Sequence, residues 1–251
     1  MNTTRLPLRL YRAIRLALHL VRGVLTVALL FPFYGRERRK DAVRRWSARI
    51  LSIANVVPKL HGIPPPPGNR PLVLVANHVS WLDIQLIHSI WQVRFVAKSE
   101  VRDWPVIGWL SARTGTLFIE RGSGRHAARI NQAIHAAFVE RDAVGVFPEG
   151  TTTEGKAIGK FHASLLQPAV DEEALVCPVA LRYLDEDGAV CMAASYVGET
   201  SLAESIRMIL REPRITAELY FLPLIDARGR TRRELAAETR LAIAARLNLP
   251  A

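Results

Sequence analysis

A histidine and an aspartate five residues apart are the first side chains in this 251-residue chain that could do chemistry together. His78 and Asp83 stand in the segment 77–83, Asn-His-Val-Ser-Trp-Leu-Asp, which follows a short apolar run. A histidine paired with a carboxylate is a natural general base, because the carboxylate fixes the imidazole tautomer and stabilises the imidazolium. A helix that starts near Ser80 would supply the turn that lets the two side chains meet.

The same residues also allow a purely structural interpretation. Ser80 and Asp83 fit a capping box, in which a serine caps a helix and the acid three residues later bonds back to it. Asp83 would then serve only the helix N-terminus, and His78 would be a solvated loop residue. The pair alone does not decide between the two interpretations.

Arg121 is a second candidate site residue. It ends the segment 115–121 and precedes Gly122-Ser123-Gly124, so a predicted short strand delivers it to a glycine-rich turn ahead of a helix. An arginine beside the free N–H groups of a helix N-terminus suits a phosphate. A surface arginine next to a flexible turn is the alternative.

The third motif is Phe147-Pro148-Glu149-Gly150, at the end of a buried apolar run. Glu149 could accept hydrogen bonds from a substrate hydroxyl or orient Arg121, although an ordinary charged turn has the same composition. The adjoining segment 150–156 nearly matches a phosphate-binding P-loop. Ala157 stands where Ser or Thr should hold Mg²⁺, so nucleotide hydrolysis is not favoured.

Other reactive patterns are missing from the sequence. There is no G-x-S-x-G elbow, and the histidines other than His78 lack metal-ligand spacing. Cys177 and Cys191 form no C-x-x-C motif, which argues against zinc and against a secreted disulfide scaffold. We therefore expect no metal, and a reducing cytoplasmic setting.

After residue 70, apolar runs alternate with helical patterns. The strand candidates are 72–76, 94–97, 116–119, 143–147, 175–181, 190–195 and 217–222. The helix candidates are 81–90, 105–113, 125–141, 162–170, 201–210 and 232–247. The alternation predicts an α/β domain with a layered, mixed or parallel sheet and flanking helices.

The positive charge of the chain lies at its N-terminus. Residues 1–49 hold twelve basic and two acidic side chains, a net of +10, whereas the whole chain carries +11. A nucleic-acid binder would usually carry its charge on the folded body, so we expect no nucleic-acid partner. Basic charge on apolar helices instead points to an anionic membrane surface.

Two helices are predicted in this basic arm. The first covers about 5–33, but its uncharged run 23–33 is shorter than the roughly 20 residues that span a bilayer. We therefore predict an amphipathic or re-entrant membrane helix, followed by a second helix over about 41–57. The alternative is that both pack on the body as ordinary surface helices.

Four consecutive prolines, 64–67, cannot be helical and predict a stiff spacer. We place the boundary there. Residues 1–62 would form the membrane-associated arm, and residues 63–251 the α/β domain.

Taken in order, the motifs resemble the glycerolipid acyltransferase family, and within it the bacterial 1-acyl-sn-glycerol-3-phosphate acyltransferases. The four blocks are Asn77-His78-x4-Asp83, Gly115-x-x-Phe118-Ile119-x-Arg121, Phe147-Pro148-Glu149-Gly150 and Val176-Cys177-Pro178-Val179. The resemblance covers roughly residues 70–200. Each block alone is moderate evidence, but the ordered set is highly specific.

The resemblance implies a role for each matched residue. His78 would be the general base and Asp83 its orienting partner. The residues implied for substrate binding are Arg121 for the acceptor's phosphate, Glu149, Gly150 and Thr151 for the rest of the acceptor, and Pro178 for the acyl-donor side. The resemblance also implies acyl-CoA or acyl-carrier protein as co-substrate, with no metal and no further cofactor.

The implied function is transfer of a fatty acyl group to 1-acyl-sn-glycerol-3-phosphate, giving phosphatidic acid, at the cytoplasmic face of the inner membrane. One departure concerns Thr152, since members with phosphate acceptors often have arginine near this position. In this respect the chain resembles members that act on other lysolipids, including lyso-ornithine lipids. A non-enzymatic peripheral membrane protein that uses only the basic arm is the rival from another class.

Overall fold

A computed structural model describes residues 4–66, 68–119 and 124–251, with side chains for all of these except 124–130. Its strands are β1 Val56–His61, β2 Leu72–Ala76, β3 Val93–Lys98, β4 Leu117–Ile119, β5 Ala143–Val146, β6 Leu175–Leu184, β7 Ile215–Phe221 and β8 Ile225–Asp226. They form one sheet in the order β1-β7-β6-β2-β5-β3-β4, with β8 beside the start of β6. β2 to β6 run parallel, whereas β7 and β8 are antiparallel to β6. The carboxyl ends of β2 to β6 therefore share one edge, where such sheets place ligands.

Helices cover both faces of this sheet, which confirms the predicted α/β class. They are α1 Leu6–Leu25, α2 Arg36–Ala54, α3 Leu82–His88, α4 Ile107–Arg113, α5 Gly124–Val139, α6 Gln167–Asp171, α7 Leu202–Arg211 and α8 Arg232–Leu247. One hydrophobic core packs α2, α3 and α7 against the sheet, and a second core packs α5, α6 and α8 against its other face.

The strand predicted at 190–195 is wrong. The chain makes only an isolated bridge between Val190 and Leu184 and then a 3₁₀ turn, Met192–Ala194. The reason lies on the neighbouring strand β6. The Asn77 side chain donates to the Leu181 carbonyl and accepts from the Leu181 N–H, both at 2.9 Å. These two main-chain groups of β6 are therefore not free to pair with residues 190–195.

The second predicted helix is wrong at both ends. α2 begins at Arg36 and stops at Ala54, because Asn55 adopts the left-handed conformation that commonly ends helices (φ 56°). The next residues form β1, which the sequence interpretation missed and which pairs in parallel with β7. The sheet of the α/β domain thus includes one strand, β1, that precedes the proline spacer. The domain boundary at residue 62 stays a prediction.

Strands β1, β7 and β6 are joined by four side chains that we call the Glu218 cluster. Lys59 belongs to β1, Arg182 to β6, and Glu218 and Tyr220 to β7. Lys59 Nζ lies 3.1 Å from Glu218 Oε1, and Arg182 Nε donates to Glu218 Oε2 at 2.7 Å. Burial opposes ionisation of Glu218, but the hydrogen bonds from Tyr220, Arg182 and Lys59 outweigh it and lower its pKa to about 2.

The N-terminal helix places polar residues inward and apolar residues outward. Arg12 is buried and donates to the carbonyls of Glu212 (3.0 Å) and Pro213 (3.4 Å), beyond the end of α7. His19 and Trp46 of α2 each bond to the other's main-chain carbonyl. The exposed apolar residues of this helix and its continuation are Leu6, Leu8, Leu10, Tyr11, Ile14, Leu18, Val21, Leu25, Leu29, Leu30 and Phe33.

Helical turns continue from α1 without a break to Phe33, through a π-helical turn and a 3₁₀ turn. By length and composition alone, the 28-residue stretch Leu6–Phe33 could cross a membrane. The helical stretch therefore extends well beyond the uncharged run 23–33, which by itself is shorter than a bilayer-spanning segment.

Candidate active site

His78 lies just beyond the end of β2, at the ligand-binding edge of the sheet. The Asn77 side chain makes two hydrogen bonds to the main chain of Leu181 in β6. These bonds continue the pairing of β2 with β6 one residue beyond Ala76 and fix the position of the chain next to His78. The chain then turns into α3, whose first turn contains Asp83. This strand-turn-helix geometry brings together two residues that are five positions apart.

The histidine and the aspartate form a hydrogen-bonded dyad. His78 Nδ1–H donates to Asp83 Oδ2 at 2.7 Å; the tautomer follows from the carboxylate, which can only accept. The Asp83 side chain is fully buried, whereas the imidazole of His78 is 19% exposed. With Nδ1 engaged, Nε2 is the ring nitrogen that can meet a substrate.

Asp83 is held by more than the histidine. Its Oδ2 also accepts the N–H groups of Val79 (2.8 Å) and Ser80 (3.0 Å), and its Oδ1 accepts the Tyr183 hydroxyl at 2.6 Å. Burial, together with the neighbouring carboxylate charge, raises the pKa of Tyr183 well above its usual value, so the phenol stays a donor. The carboxylate is fixed from both of its oxygens.

These contacts form only the carboxylate half of the predicted capping box, in which Asp83 Oδ2 accepts the Ser80 N–H. α3 has no side-chain cap, and Ser80 Oγ has no hydrogen-bond partner among the described residues. Asp83 instead binds the turn that precedes the helix and the imidazole at the same time. One carboxylate therefore holds both the turn and the imidazole.

A column of aromatic rings fixes the plane of the imidazole. His78 stacks on Phe147 with ring centroids 4.0 Å apart, and Phe147 stacks on Phe95 at 5.2 Å. Gly145 makes room for this column, since a Cβ there would lie 2.7 Å from the Phe95 ring. The imidazole is thus restricted both in its plane and along its hydrogen bond.

Glu149 supports the main chain of the histidine. Its Oε1 accepts the His78 N–H at 2.7 Å, and its Oε2 accepts the Gly159 N–H at 2.8 Å. Burial raises the pKa of Glu149 in spite of these two N–H groups. A Cβ on Gly159 would lie 2.6 Å from Oε2, which explains the glycine. Both oxygens engage the protein itself, and acceptor contact by Glu149 stays a prediction.

A groove of about 1880 Å³ opens above the dyad, between the N-terminal helices and the edge of the sheet. His78 lines it, together with Gly150, Thr151 and Thr152. None of the lining residues that the structure describes is an Asp or a Glu. The fully cationic side chains in the lining are Arg22, Arg45, Arg49 and Lys98. The groove therefore suits an apolar chain that carries an anionic headgroup.

The other predicted site residues are more scattered. Arg121 lies outside the described residues, two positions after β4, whose last residue Ile119 pairs with Lys98 of β3. Pro178 is buried within β6, opposite Val75, and is not in the groove lining. Its place on the acyl-donor side stays a prediction.

The segment after Gly150 does not form a P-loop. A P-loop requires a helix directly after its lysine, but the chain is irregular from Lys156 until the 3₁₀ turn Ala163–Leu166. Lys156 pairs with Glu154 instead, at 2.9 Å. The loop rather wraps the dyad, since the Thr153 N–H donates to the His78 carbonyl at 2.8 Å.

Sequence interpretation missed two residues of this site, Tyr183 and Lys98. Tyr183 follows Asp83 by a hundred positions, and no local pattern marks it as a partner of the carboxylate. Lys98 gave a weak signal, because a lysine that ends an apolar strand at the ligand edge of a parallel sheet faces the site.

Comparison with known proteins identifies the family. The family model described as Acyltransferase matches residues 54–182, about half of the chain. The chain belongs to this acyltransferase family. The acyltransferase is 36% identical over 205 residues to the lyso-ornithine lipid O-acyltransferase of Pseudomonas aeruginosa, covering 82% of this chain and 78% of that one. It is 34% identical over 191 residues to the 1-acyl-sn-glycerol-3-phosphate acyltransferase of Neisseria meningitidis, with 76% and 74% covered.

A solved structure shows the same fold. The 1-acyl-sn-glycerophosphate acyltransferase PlsC from Thermotoga maritima superposes with a TM-score of 0.70 over 96% of both chains, at 20% identity. Family membership makes this chain an acyltransferase of the lysolipid type, which sets aside the non-enzymatic hypothesis. The names of these relatives give two different acceptors, lyso-ornithine lipid and 1-acyl-sn-glycerol-3-phosphate.

Proposed function

We propose that this acyltransferase moves a fatty acyl group from acyl-CoA or acyl-carrier protein to the free hydroxyl of 1-acyl-sn-glycerol-3-phosphate, giving phosphatidic acid. The observation that carries the proposal is the His78–Asp83 dyad, whose Nε2 faces a groove lined by cations and by no described acid. A lysolipid phosphate carries up to two negative charges, and such a lining stabilises it.

In the proposed reaction His78 is the general base. The acceptor hydroxyl approaches Nε2, which removes its proton as the oxygen attacks the thioester carbonyl. Asp83 stabilises the imidazolium that forms. When the intermediate collapses, the C–S bond breaks, the ester remains on the acceptor, and the proton passes to the departing thiolate. The acyl chain would lie along the apolar lining.

The headgroup would bind where β3 and β4 end. Lys98 is exposed at the end of β3 and lines the groove, and Arg121 follows β4 by two residues. We propose that these two cations hold the phosphate. Gly150 and Thr151, which also line the groove, would contact the glycerol part of the acceptor.

A second acceptor, lyso-ornithine lipid, is favoured by one position. Thr152 stands where phosphate-acceptor members often have arginine, and its hydroxyl donates to the Tyr196 carbonyl. A P. aeruginosa relative carries the corresponding name. Against this acceptor, the amine of an ornithine headgroup would find no carboxylate among the described lining residues.

We propose that α1 lies in one leaflet of the inner membrane, on its cytoplasmic face. Its outward apolar residues would enter the boundary between headgroups and acyl chains, and its basic residues suit anionic lipids. Arg12 ties the inward face to the body, which favours a helix lying along the surface over one that spans. The groove between helix and body would then open toward the leaflet.

An acyl-transfer assay tests the proposal. The purified enzyme is given each donor with 1-acyl-sn-glycerol-3-phosphate or lyso-ornithine lipid, and products are identified by mass spectrometry. His78→Ala should abolish transfer and remain folded. His135→Ala is the matched control. His135 also bonds to a carboxylate, that of Glu172, but it lies on α5 and does not line the groove. Transfer by purified His78→Ala would refute the mechanism, and transfer only to lyso-ornithine lipid would refute the first acceptor.

A further inference from the structure

The segment between β3 and α4 contains a strained turn. Val106 has φ 64° and ψ −52°, and the Ile107 N–H donates to the Pro105 carbonyl at 2.6 Å, which makes Val106 the centre of a γ-turn with positive φ. This conformation is rare and unfavourable for a β-branched residue. The surroundings hold it in place: Gly108 packs so tightly that a Cβ would collide with the Arg102 carbonyl oxygen. Such retained strain points to function.

The turn presents apolar side chains to the outside of the body. Trp104 is 37% exposed, Val106 45% and Trp109 37%. Three large apolar residues within six positions form a concentrated patch on this part of the surface.

This patch continues the outward apolar surface of the N-terminal helix. Leu110, next to Trp109, is buried in a small core with Val27, Phe31 and Val43. Residues Leu29, Leu30 and Phe33 beside that core are exposed. The turn and the end of the helical arm therefore share one side of the molecule.

The same turn borders the groove of the active site. Trp104, Pro105 and Val106 all line that groove while Trp104 and Val106 also remain partly exposed. The patch thus stands at an opening of the groove. A surface that covers the patch would also face the entrance for a lipid.

We propose that residues 104–109 are a second membrane-contact segment, carried by the α/β body, which inserts into the leaflet that α1 occupies. Tryptophan suits this depth, since its ring is amphipathic and prefers the membrane–water interface. Arg113 lies 5.8 Å from the Trp109 ring, and its long stem can reach headgroups from there. Glu100 and Asp103 balance Arg102 and Arg113 along the segment, so the contact is apolar rather than electrostatic.

The inference rests on the proposed function in one respect, the position of α1 in a leaflet. A single helical contact would let the body tilt about the arm. Two contacts on one side fix its orientation and hold the opening of the groove against the leaflet. The acceptor could then enter sideways without leaving the membrane.

Site-specific fluorescence tests the contact without relying on activity. Cys177 and Cys191 are buried, so a single introduced cysteine can be labelled alone. Val106→Cys, labelled with nitrobenzoxadiazole in the full chain, should shift to the blue and brighten about twofold or more on vesicles of phosphatidylcholine and phosphatidylglycerol. Nitroxide-bearing lipids should quench it. Val139→Cys is the matched control: it is 69% exposed at the end of α5, and its label should not respond.

Two outcomes would overturn the contact. In one, the label at 106 stays accessible to iodide while the protein sediments with the vesicles. In the other, the fluorescence of the label at 106 changes when soluble acyl-CoA is added without vesicles but does not change when vesicles are added. That result is expected for a lid over the groove.

The variant Trp109→Ser adds a kinetic test, because Trp109 is partly exposed and is not among the residues that line the groove. Its kcat/KM for acceptor in vesicles should fall by about fivefold or more, because an interfacial side chain is lost. With a short-chain acceptor below its critical micelle concentration, the value should stay within about twofold of wild type. Equal losses with both acceptors would contradict the inference. Absence of transfer in the wild type would instead contradict the proposed function and leave the fluorescence test decisive.

Discussion

Replacing Asp83 by asparagine removes the charge of the dyad with little change of shape. The amide oxygen can take the place of Oδ2, which accepts from His78, Val79 and Ser80. The amide NH₂ then faces the Tyr183 hydroxyl, which can accept as well as donate. The variant should fold like the wild type but lack the negative charge beside the imidazole.

The size of the effect follows from the dyad geometry. The 2.7 Å contact between Nδ1 and Oδ2 places the centres of the two charges roughly 4 Å apart once the imidazolium forms. Their attraction at that separation is about 4 kcal/mol at an effective dielectric constant of about 20. Since about 1.4 kcal/mol corresponds to a factor of ten in rate, kcat should fall about 10³-fold.

Thiol release from acyl-CoA, followed with a thiol reagent at saturating acceptor, measures this kcat. The two native cysteines are buried and should not react. Asp142→Asn is the control, because Asp142 is a buried aspartate that bonds Arg36 and Lys40 at the opposite end of β5. It should lower the melting temperature and keep kcat. If Asp83→Asn retains more than about a tenth of wild-type kcat, charge stabilisation by Asp83 is refuted.

Three further variants probe the hydrogen bonds that support the dyad and the Glu218 cluster. Tyr183→Phe leaves an oxygen of the buried Asp83 without its donor, so calorimetry should show a loss of about 1–3 kcal/mol, with a smaller fall in kcat than Asp83→Asn; an unchanged melting temperature would contradict this. Glu149→Gln leaves one main-chain N–H without an acceptor, so kcat and stability should fall while KM for the acceptor changes little; a raised KM alone would indicate acceptor contact instead. The lowered pKa of Glu218, about 2, means that its cluster stabilises the fold above about pH 4.5 and that this stability is lost as the pH falls toward about 2. Denaturant unfolding of Glu218→Gln across this window should therefore depend less on pH than that of the wild type, and identical profiles would count against the cluster.

The sequence by itself determined the α/β class and the location of the dyad. The alternation of apolar runs and helical patterns is local, since it depends on side-chain periodicity within each element. The pairing of His78 with Asp83 is local as well, because one strand-turn-helix unit spans both residues. Val190, by contrast, lies in an apolar run that predicts a strand. The pattern could not show that a distant asparagine side chain occupies the adjacent ladder groups.

Only the tertiary structure decided how the dyad is held. Tyr183 reaches Asp83 from β6, and the carboxylate of Glu149 reaches the main chain of His78 from the loop after β5. Hydrogen bonds between distant segments leave no periodic trace, so neither could be predicted from spacing. The inward polar face of α1 follows the same rule, since Arg12 finds its carbonyl acceptors two hundred residues away. Local periodicity determines which elements form, but partners for buried polar groups are settled only when the chain is packed.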